Sequence, residues 1–255
     1  MALTSKKFFL RRTKMLEFLA ELEKTDDPSA KTAYLPPGLS VLEIEKLLGI
    51  APFRESLPED LAQAVDRSKT GATLFWGDAR KCLVLPPFPI KEKNTFDSYV
   101  AGPLRLLLQS DFKIGLILVH LGAYAVGLCH GERLIASKVG TGLVHGRHRQ
   151  GGSSQQRFQR RREKQVQEFL DRVCAHAREK LESEARLLDY IIYGGPRQTV
   201  LLLQKRCPFL SLFEERTLPP LDVPSPRQKL LETTVGRIWS SCVIEWQEAS
   251  KVLLL

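Results

Sequence analysis

The chain has no pair of cysteines at metal or redox spacing. Cys82, Cys129, Cys174, Cys207 and Cys242 are scattered, odd in number and nowhere arranged as C-x-x-C. That argues against a zinc site and against a dithiol redox pair. The expectation is five buried or partly buried reduced thiols. Long apolar runs are also missing. The final Val252-Leu253-Leu254-Leu255 is far too short to span a bilayer. Residues 1–12 are basic but lack the apolar segment and small-residue cleavage pattern of a secretory signal. A cytoplasmic protein without a membrane partner is expected. No glycine-rich nucleotide-binding motif occurs, which argues against an intrinsic ATPase or GTPase. No internal repeat is found.

What is present is positive charge. The 255 residues carry a formal charge of +9, which suits a polyanionic partner. A chain of this length buries one good core or two modest ones. The prolines cluster in bursts such as Pro86-Pro87-Phe88-Pro89 and Pro219-Pro220, punctuating folded elements.

The apolar pattern divides the chain at about residue 92. Residues 1–92 read as a small helical and hairpin domain. Helical spacing runs over residues 8–22, a capping box at Ser40 and Glu43 opens a second helix, and residues 57–65 suggest a third. Two short apolar strands, 73–76 and 82–85, flank a five-residue connection containing Gly77, a hairpin signal. Residues 93–255 read as a second domain. A helix over 96–108 leads into strands at 114–120, 123–129 and 133–139. Their connections are so short that they must be antiparallel neighbours. A long helix follows over 156–181, then a strand at 190–193 and helices over 197–205 and 226–239. This order predicts an α/β (α+β) fold, a mixed sheet with antiparallel strands and covering helices.

The positive charge is focused at the start of the long helix. Seven of the twenty residues from His145 to Lys164 are Arg or Lys. Gly151 and Gly152 relieve steric limits on the backbone and leave its amides open to a ligand. Ser153 or Ser154 is placed to cap the helix. Arg157, Arg160 and Arg161 sit in its first turns, where they oppose the helix dipole, so a nucleic-acid backbone would supply the missing negative charge. Phe158 reads as a core anchor. Arg162 and Lys164 read as a solvated face. His145 and His148 have no nearby Cys, Asp or Glu that would complete a metal site, and Glu163 and Asp171 lack convincing metal geometry. No metal is expected, and both His145 and His148 read as neutral RNA contacts.

This stretch resembles the catalytic loop of the eukaryotic and archaeal class 1 peptide-chain release factors. Gly151-Gly152 matches the glycine pair of their Gly-Gly-Gln loop, and Arg157-Phe158 matches an Arg-Phe pair at the same spacing. Ser153 stands where that family has glutamine. Gly152-Ser153-Ser154-Gln155 instead fits the Gly-x-x-Gln arrangement of the release-factor-like tRNA hydrolases of ribosome quality control, whose bacterial members it resembles most. The resemblance covers roughly residues 96–246, including the strands before the loop, and implies a fold like the central domain of the release factors. No stretch resembles their Asn-Ile-Lys-Ser codon-reading motif. The chain is also too short for their C-terminal domain, which binds a partner GTPase. Both absences argue against stop-codon-dependent termination.

The resemblance implies a codon-independent, ribosome-dependent peptidyl-tRNA hydrolase. Its partners are then the large ribosomal subunit, ribosomal RNA and peptidyl-tRNA, with other ribosome-quality-control factors at one remove, and no cofactor is called for. Gln155 is expected to orient the water or the leaving 3′ oxygen, since a neutral amide both donates and accepts. Gln156 stays open as the alternative. Amides at Gly151 and Gly152 are expected to assist with the developing oxyanion. Arg147, Arg149, Arg157, Arg160 and Arg161 are expected to hold RNA phosphates. Two rivals remain: a non-catalytic surveillance factor that recognises stalled ribosomes, and a general RNA-binding module acting on free tRNA.

Overall fold

The computed structural model describes residues 3–39, 59–144 and 154–248. Packing divides the chain into two units, Met1–Ser110 with Gly236–Leu255, and Asp111–Val235.

The first unit is built on a six-stranded sheet. In chain order it holds β1 (Leu3–Leu10), α1 (Arg12–Leu22), β2 (Lys31–Leu35), α2 (Glu59–Arg67), β3 (Ala72–Trp76), β4 (Lys81–Leu85), β5 (Asn94–Phe96) and α3 (Gly102–Gln109). The last strand, β10 (Ser241–Glu248), returns from the far end of the chain. The strand order is β1-β10-β4-β3-β2-β5, and every pairing is antiparallel. Alternate residues feed two cores. On one face Tyr34, Phe75, Val84 and Val243 pack with Met15, Phe18, Leu19 and Leu22 of α1 and Leu104 and Leu108 of α3. On the other, Leu74, Leu83, Ile244 and Trp246 pack with Leu61 of α2.

This unit differs from the expected small helical and hairpin domain. The 73–76 and 82–85 hairpin forms as β3 and β4. The helix placed over residues 8–22 starts only at Arg12, because Phe8 and Leu10 lie on β1 and face the core as alternating strand residues. The helix placed over 96–108 shortens to α3, with Phe96 on β5. The capping box at Ser40 and Glu43 lies outside the described residues. A boundary at residue 92 leaves β10 on the wrong side of the packing. Ser241–Glu248 hydrogen-bonds between β1 and β4 and so belongs with them.

The second unit holds β6 (Lys113–His120), β7 (Ala123–His130), β8 (Arg133–Thr141), α4 (Ser154–Leu181), β9 (Tyr190–Gly194), α5 (Arg197–Arg206) and a 3-10 helix (Pro208–Arg216). The helix α6 (Gln228–Ile238) carries the chain across the boundary. The sheet order is β8-β7-β6-β9. The first three strands form the predicted antiparallel meander, and β9 joins β6 in parallel, so the sheet is mixed as expected. Gly122 and Gly131 take positive φ (99° and 56°) in the two-residue reversals, a conformation that side chains disfavour. One face of this sheet, from Ile117, Val119, Tyr124, Val126, Ile191 and Tyr193, packs against Phe169, Leu170, Val173, Ala177 and Leu181 of α4. The five α4 residues follow steps of one, three and four, the spacing of one helix face.

The expectation of five reduced thiols is corrected at two positions. Cys174 of α4 and Cys207, which ends α5, form a disulfide with Cα atoms 5.5 Å apart. The two helices pack together, and Arg206 beside Cys207 grips Asp171, one turn before Cys174, through Nε and Nη2 at 2.6 and 2.8 Å. Cys82, Cys129 and Cys242 are reduced and buried, and burial pushes the Cys82 and Cys129 thiols up to about 12. Among the described residues no helix is long and apolar enough to cross a membrane.

Candidate functional site

The strand β8 and the helix α4 bracket the glycine loop. Residues 145–153, with Arg147, His148, Arg149, Gly151, Gly152 and Ser153, lie outside the described residues. Ser154 opens α4, so Gln155 falls in its first turn. The helix has no acidic residue in that turn.

The 28 residues of α4 divide into a more exposed first half, in which Val166 is partly buried against the core, and a packed second half. From Gln156 to Glu168 no side chain is buried, whereas Phe169 and Leu170 begin the core face. The segment 154–168 is about 22 Å long at 1.5 Å per residue. Arg157, Arg160 and Arg161 are all exposed, and with Lys164 they follow i, i+3, i+4, i+7 spacing. They therefore form one basic stripe. At about 100° per residue that stripe lies opposite the core-facing line of Val166, Val173 and Ala177. Lys164 thus belongs with the arginines and also approaches Glu168 at 3.8 Å. Gln156 is exposed as well. Phe158 is 57% exposed, which corrects its reading as a core anchor. It lies along the same line of the helix as Phe169, about three turns ahead of that first buried residue.

The strand end that leads into the loop is held by residues that the sequence reading did not single out. Arg172 donates from Nη1 to the Thr141 carbonyl at 3.1 Å, tying α4 to the end of β8. Tyr124 on β7 lies edge-on to Phe169 at 5.9 Å and stacks on His176 at 5.7 Å. Burial raises the Tyr124 phenol above its ordinary value, so it stays neutral over the physiological range. Two glycines make room for these rings. A Cβ at Gly140 would lie 2.3 Å from the Tyr124 hydroxyl, and one at Gly142 would lie 2.7 Å from Phe169 Cδ2. Two glycines spaced by two, one in β8 and one just past its end, were the available sequence signal, because extended residues at that spacing share a face.

Asp171 is held below the usual carboxylate range by its hydrogen bonds from Arg206, so this acid serves to fix α4 to α5. Glu163 accepts from Gln159 Nε2 at 2.9 Å. Among the described residues no cluster of three His, Cys, Asp or Glu is placed to hold a metal ion.

Archaeal termination factors are similar to this chain. A peptide chain release factor subunit 1 from Aeropyrum pernix is 27% identical over 216 residues, 73% of this chain and 58% of that protein. The corresponding protein of Archaeoglobus fulgidus is 34% identical over 113 residues, 44% of this chain and 28% of that protein. The chain thus spans little more than half of the first relative and under a third of the second. A crystal structure of the archaeal translation termination factor aRF1 aligns over 89% of this chain and 73% of that one, at 20% identity and a TM-score of 0.37. At that score the strand pairings above, rather than the alignment, carry the fold assignment. The family model described as Actinobacteria/chloroflexi VLRF1 release factor matches residues 113–244, from the first residue of β6 into β10. With more than half of its length inside that match, the chain belongs to this release-factor family.

Proposed function

We propose that the protein is a codon-independent peptidyl-tRNA hydrolase that acts on the large ribosomal subunit through Gly152-Ser153-Ser154-Gln155. The observation that carries the reading is the placement of Gln155 in the first turn of a helix that carries an exposed basic stripe and no acid at its start. Such a helix end gathers phosphate from RNA while its own amides favour developing negative charge. The resemblance of the loop to the Gly-x-x-Gln arrangement supports the same assignment.

The ester between the peptide carboxyl and the terminal ribose is more labile than an amide, so no strong base is needed. A water oxygen attacks the carbonyl carbon, and a tetrahedral oxyanion forms. The carbon–oxygen bond to the 3′ oxygen then breaks, and that oxygen takes up the proton that the attacking water gives up. Gln155 orients the water or the leaving oxygen through its amide, while backbone amides near Gly151 and Gly152 stabilise the oxyanion. Arg147, His148, Arg149 and the stripe of Arg157, Arg160 and Arg161 hold RNA. The cytoplasm is the compartment in which this substrate is met.

The deciding experiment is release of labelled peptide from isolated large-subunit complexes carrying peptidyl-tRNA. Wild type is expected to release peptide, Gln155→Ala to bind equally without release, and Gln156→Ala to keep most activity. Equal binding without release by all three proteins points instead to a non-catalytic surveillance factor. Equal hydrolysis of free peptidyl-tRNA removes the ribosome from the proposal.

A further inference from the structure

We propose that the segment from Lys6 to Lys14 in the first unit is a second RNA-binding surface, one that takes single-stranded RNA with a base stacked on Phe9. The assignment is independent of the role given to Gln155.

The first observation is charge. The run Ser5-Lys6-Lys7-Phe8-Phe9-Leu10-Arg11-Arg12-Thr13-Lys14 has five basic residues and no acidic one. Lys6, Lys7 and Arg11 are exposed. Two acids beside this run have cationic partners, one outside it and one within it. Glu245, directly opposite Lys6, accepts from Arg80 at 2.9 and 2.6 Å, and Glu17 pairs with Lys14 at 2.6 Å. The local field therefore stays positive, as an RNA backbone requires.

The second observation is an aromatic ring on the same face. Among the described residues β1 is an edge strand whose strand neighbour is β10. Phe8 and Leu10 turn into the α1 side of the sheet, so Lys7 and Phe9 project from the opposite face. Arg11 keeps extended backbone angles (φ −68°, ψ 161°) and continues the alternation. Lys7, Phe9 and Arg11 thus form a cation–ring–cation row about 13 Å long, at some 3.3 Å per residue. Phe9 is 69% exposed, and Lys7 Nζ lies 6.0 Å from its ring centroid. A flat, exposed ring flanked by cations is the arrangement that binds single strands, through stacking on bases and charge on phosphates.

The test is anisotropy of a fluorescein-labelled 12-nucleotide oligouridylate. It is done with the full chain carrying Arg157→Ala, Arg160→Ala and Arg161→Ala, so that the α4 stripe does not dominate the signal. Lys7→Ala with Arg11→Ala is expected to weaken binding at least tenfold and to reduce the slope of log affinity on log salt by about 1.4. Phe9→Ala is expected to weaken binding roughly fivefold to a hundredfold with the salt slope unchanged, and Phe9→Trp to retain it. Thermal melts of the same variants report whether the unit remains folded, and exposed positions predict that it does. Unchanged RNA affinity in folded Phe9→Ala or in the double variant overturns the proposal. So does intact RNA binding combined with loss of binding to phosphatidylserine vesicles, which assigns the patch to a lipid surface.

Discussion

Arg172 and Thr141 join the helix that leaves the glycine loop to the strand that enters it, through one hydrogen bond of 3.1 Å from guanidinium to carbonyl. The end of β8, from which the loop leaves, is thereby fixed to the packed part of α4. Catalysis by orientation depends on such fixed points, because small misplacements of a positioning group carry large penalties. Arg172→Ala is expected to lower the single-turnover release rate on the order of tenfold. Stability should fall by only about 1 kcal/mol, as suits an exposed hydrogen bond. Rapid-quench release with saturating protein, alongside urea unfolding, separates the two effects. An unchanged rate removes Arg172 from the positioning role.

The glycines beneath the loop make a sharper stability prediction. Gly140→Ala places a methyl group 2.3 Å from the Tyr124 hydroxyl and 2.5 Å from Cζ. The ring cannot swing away cheaply, since Tyr124 is buried and stacked on His176. The expected loss is about 1–3 kcal/mol, read from urea unfolding. Gly236→Ala is a suitable control, because a Cβ there meets nothing within 4 Å.

The disulfide between Cys174 and Cys207 closes a loop of 33 residues. Loop-closure entropy places its contribution at about 3–4 kcal/mol. Urea unfolding with and without reductant should show a difference of that size. The pair Cys174→Ser with Cys207→Ser should match the reduced protein. The ion pair of Asp171 and Arg206 keeps α4 and α5 adjacent in both forms, so circular dichroism should change little.

Asp27 predicts the acid limb of stability in the first unit. Its carboxylate is held down to about 2 by hydrogen bonds from the Ser29 hydroxyl, then from the Ala79 and Ser29 amides and the Tyr99 hydroxyl. A depressed folded-state value means that the unfolded chain binds the proton first as pH falls. The stabilisation is therefore complete above the ordinary value of 3.8 and is lost as pH drops through about 2. Asp27→Asn should flatten the fall in unfolding midpoint between pH 4 and pH 2, monitored by Trp fluorescence. An acid limb as steep as that of wild type would show that other carboxylates carry it.

Periodicity and turn length made the second unit legible in the sequence. Residues 114–139 hold three apolar runs joined by connections short enough to permit only antiparallel neighbours, and residues 156–181 carry one apolar stripe. The first unit was harder. Phe8, Phe9 and Leu10 are apolar in succession, so a strand running into a helix reads as one helix. β10 was missed because its partners β1 and β4 lie more than 150 residues away in sequence, and no local pattern encodes such a pairing. Cys174 and Cys207 are likewise brought together only by packing of α4 on α5. At the candidate site the glycine pair and the arginines were readable as composition. The tie from Arg172 to Thr141 depends on where β8 ends relative to α4, which spacing alone does not give.

The interior position of β10 also orders events on the ribosome that makes this chain. Synthesis runs from the N-terminus, and among the described residues the strand that pairs with β1, Ser241–Glu248, is added last. By then Asp111–Val235 has been added in full and has its own core to collapse around. The later unit is thus able to fold first, while the N-terminal strand waits for the last one to be threaded between it and β4. A nascent chain halted before residue 241 would carry the basic helix on a finished support and leave the first sheet open along one edge.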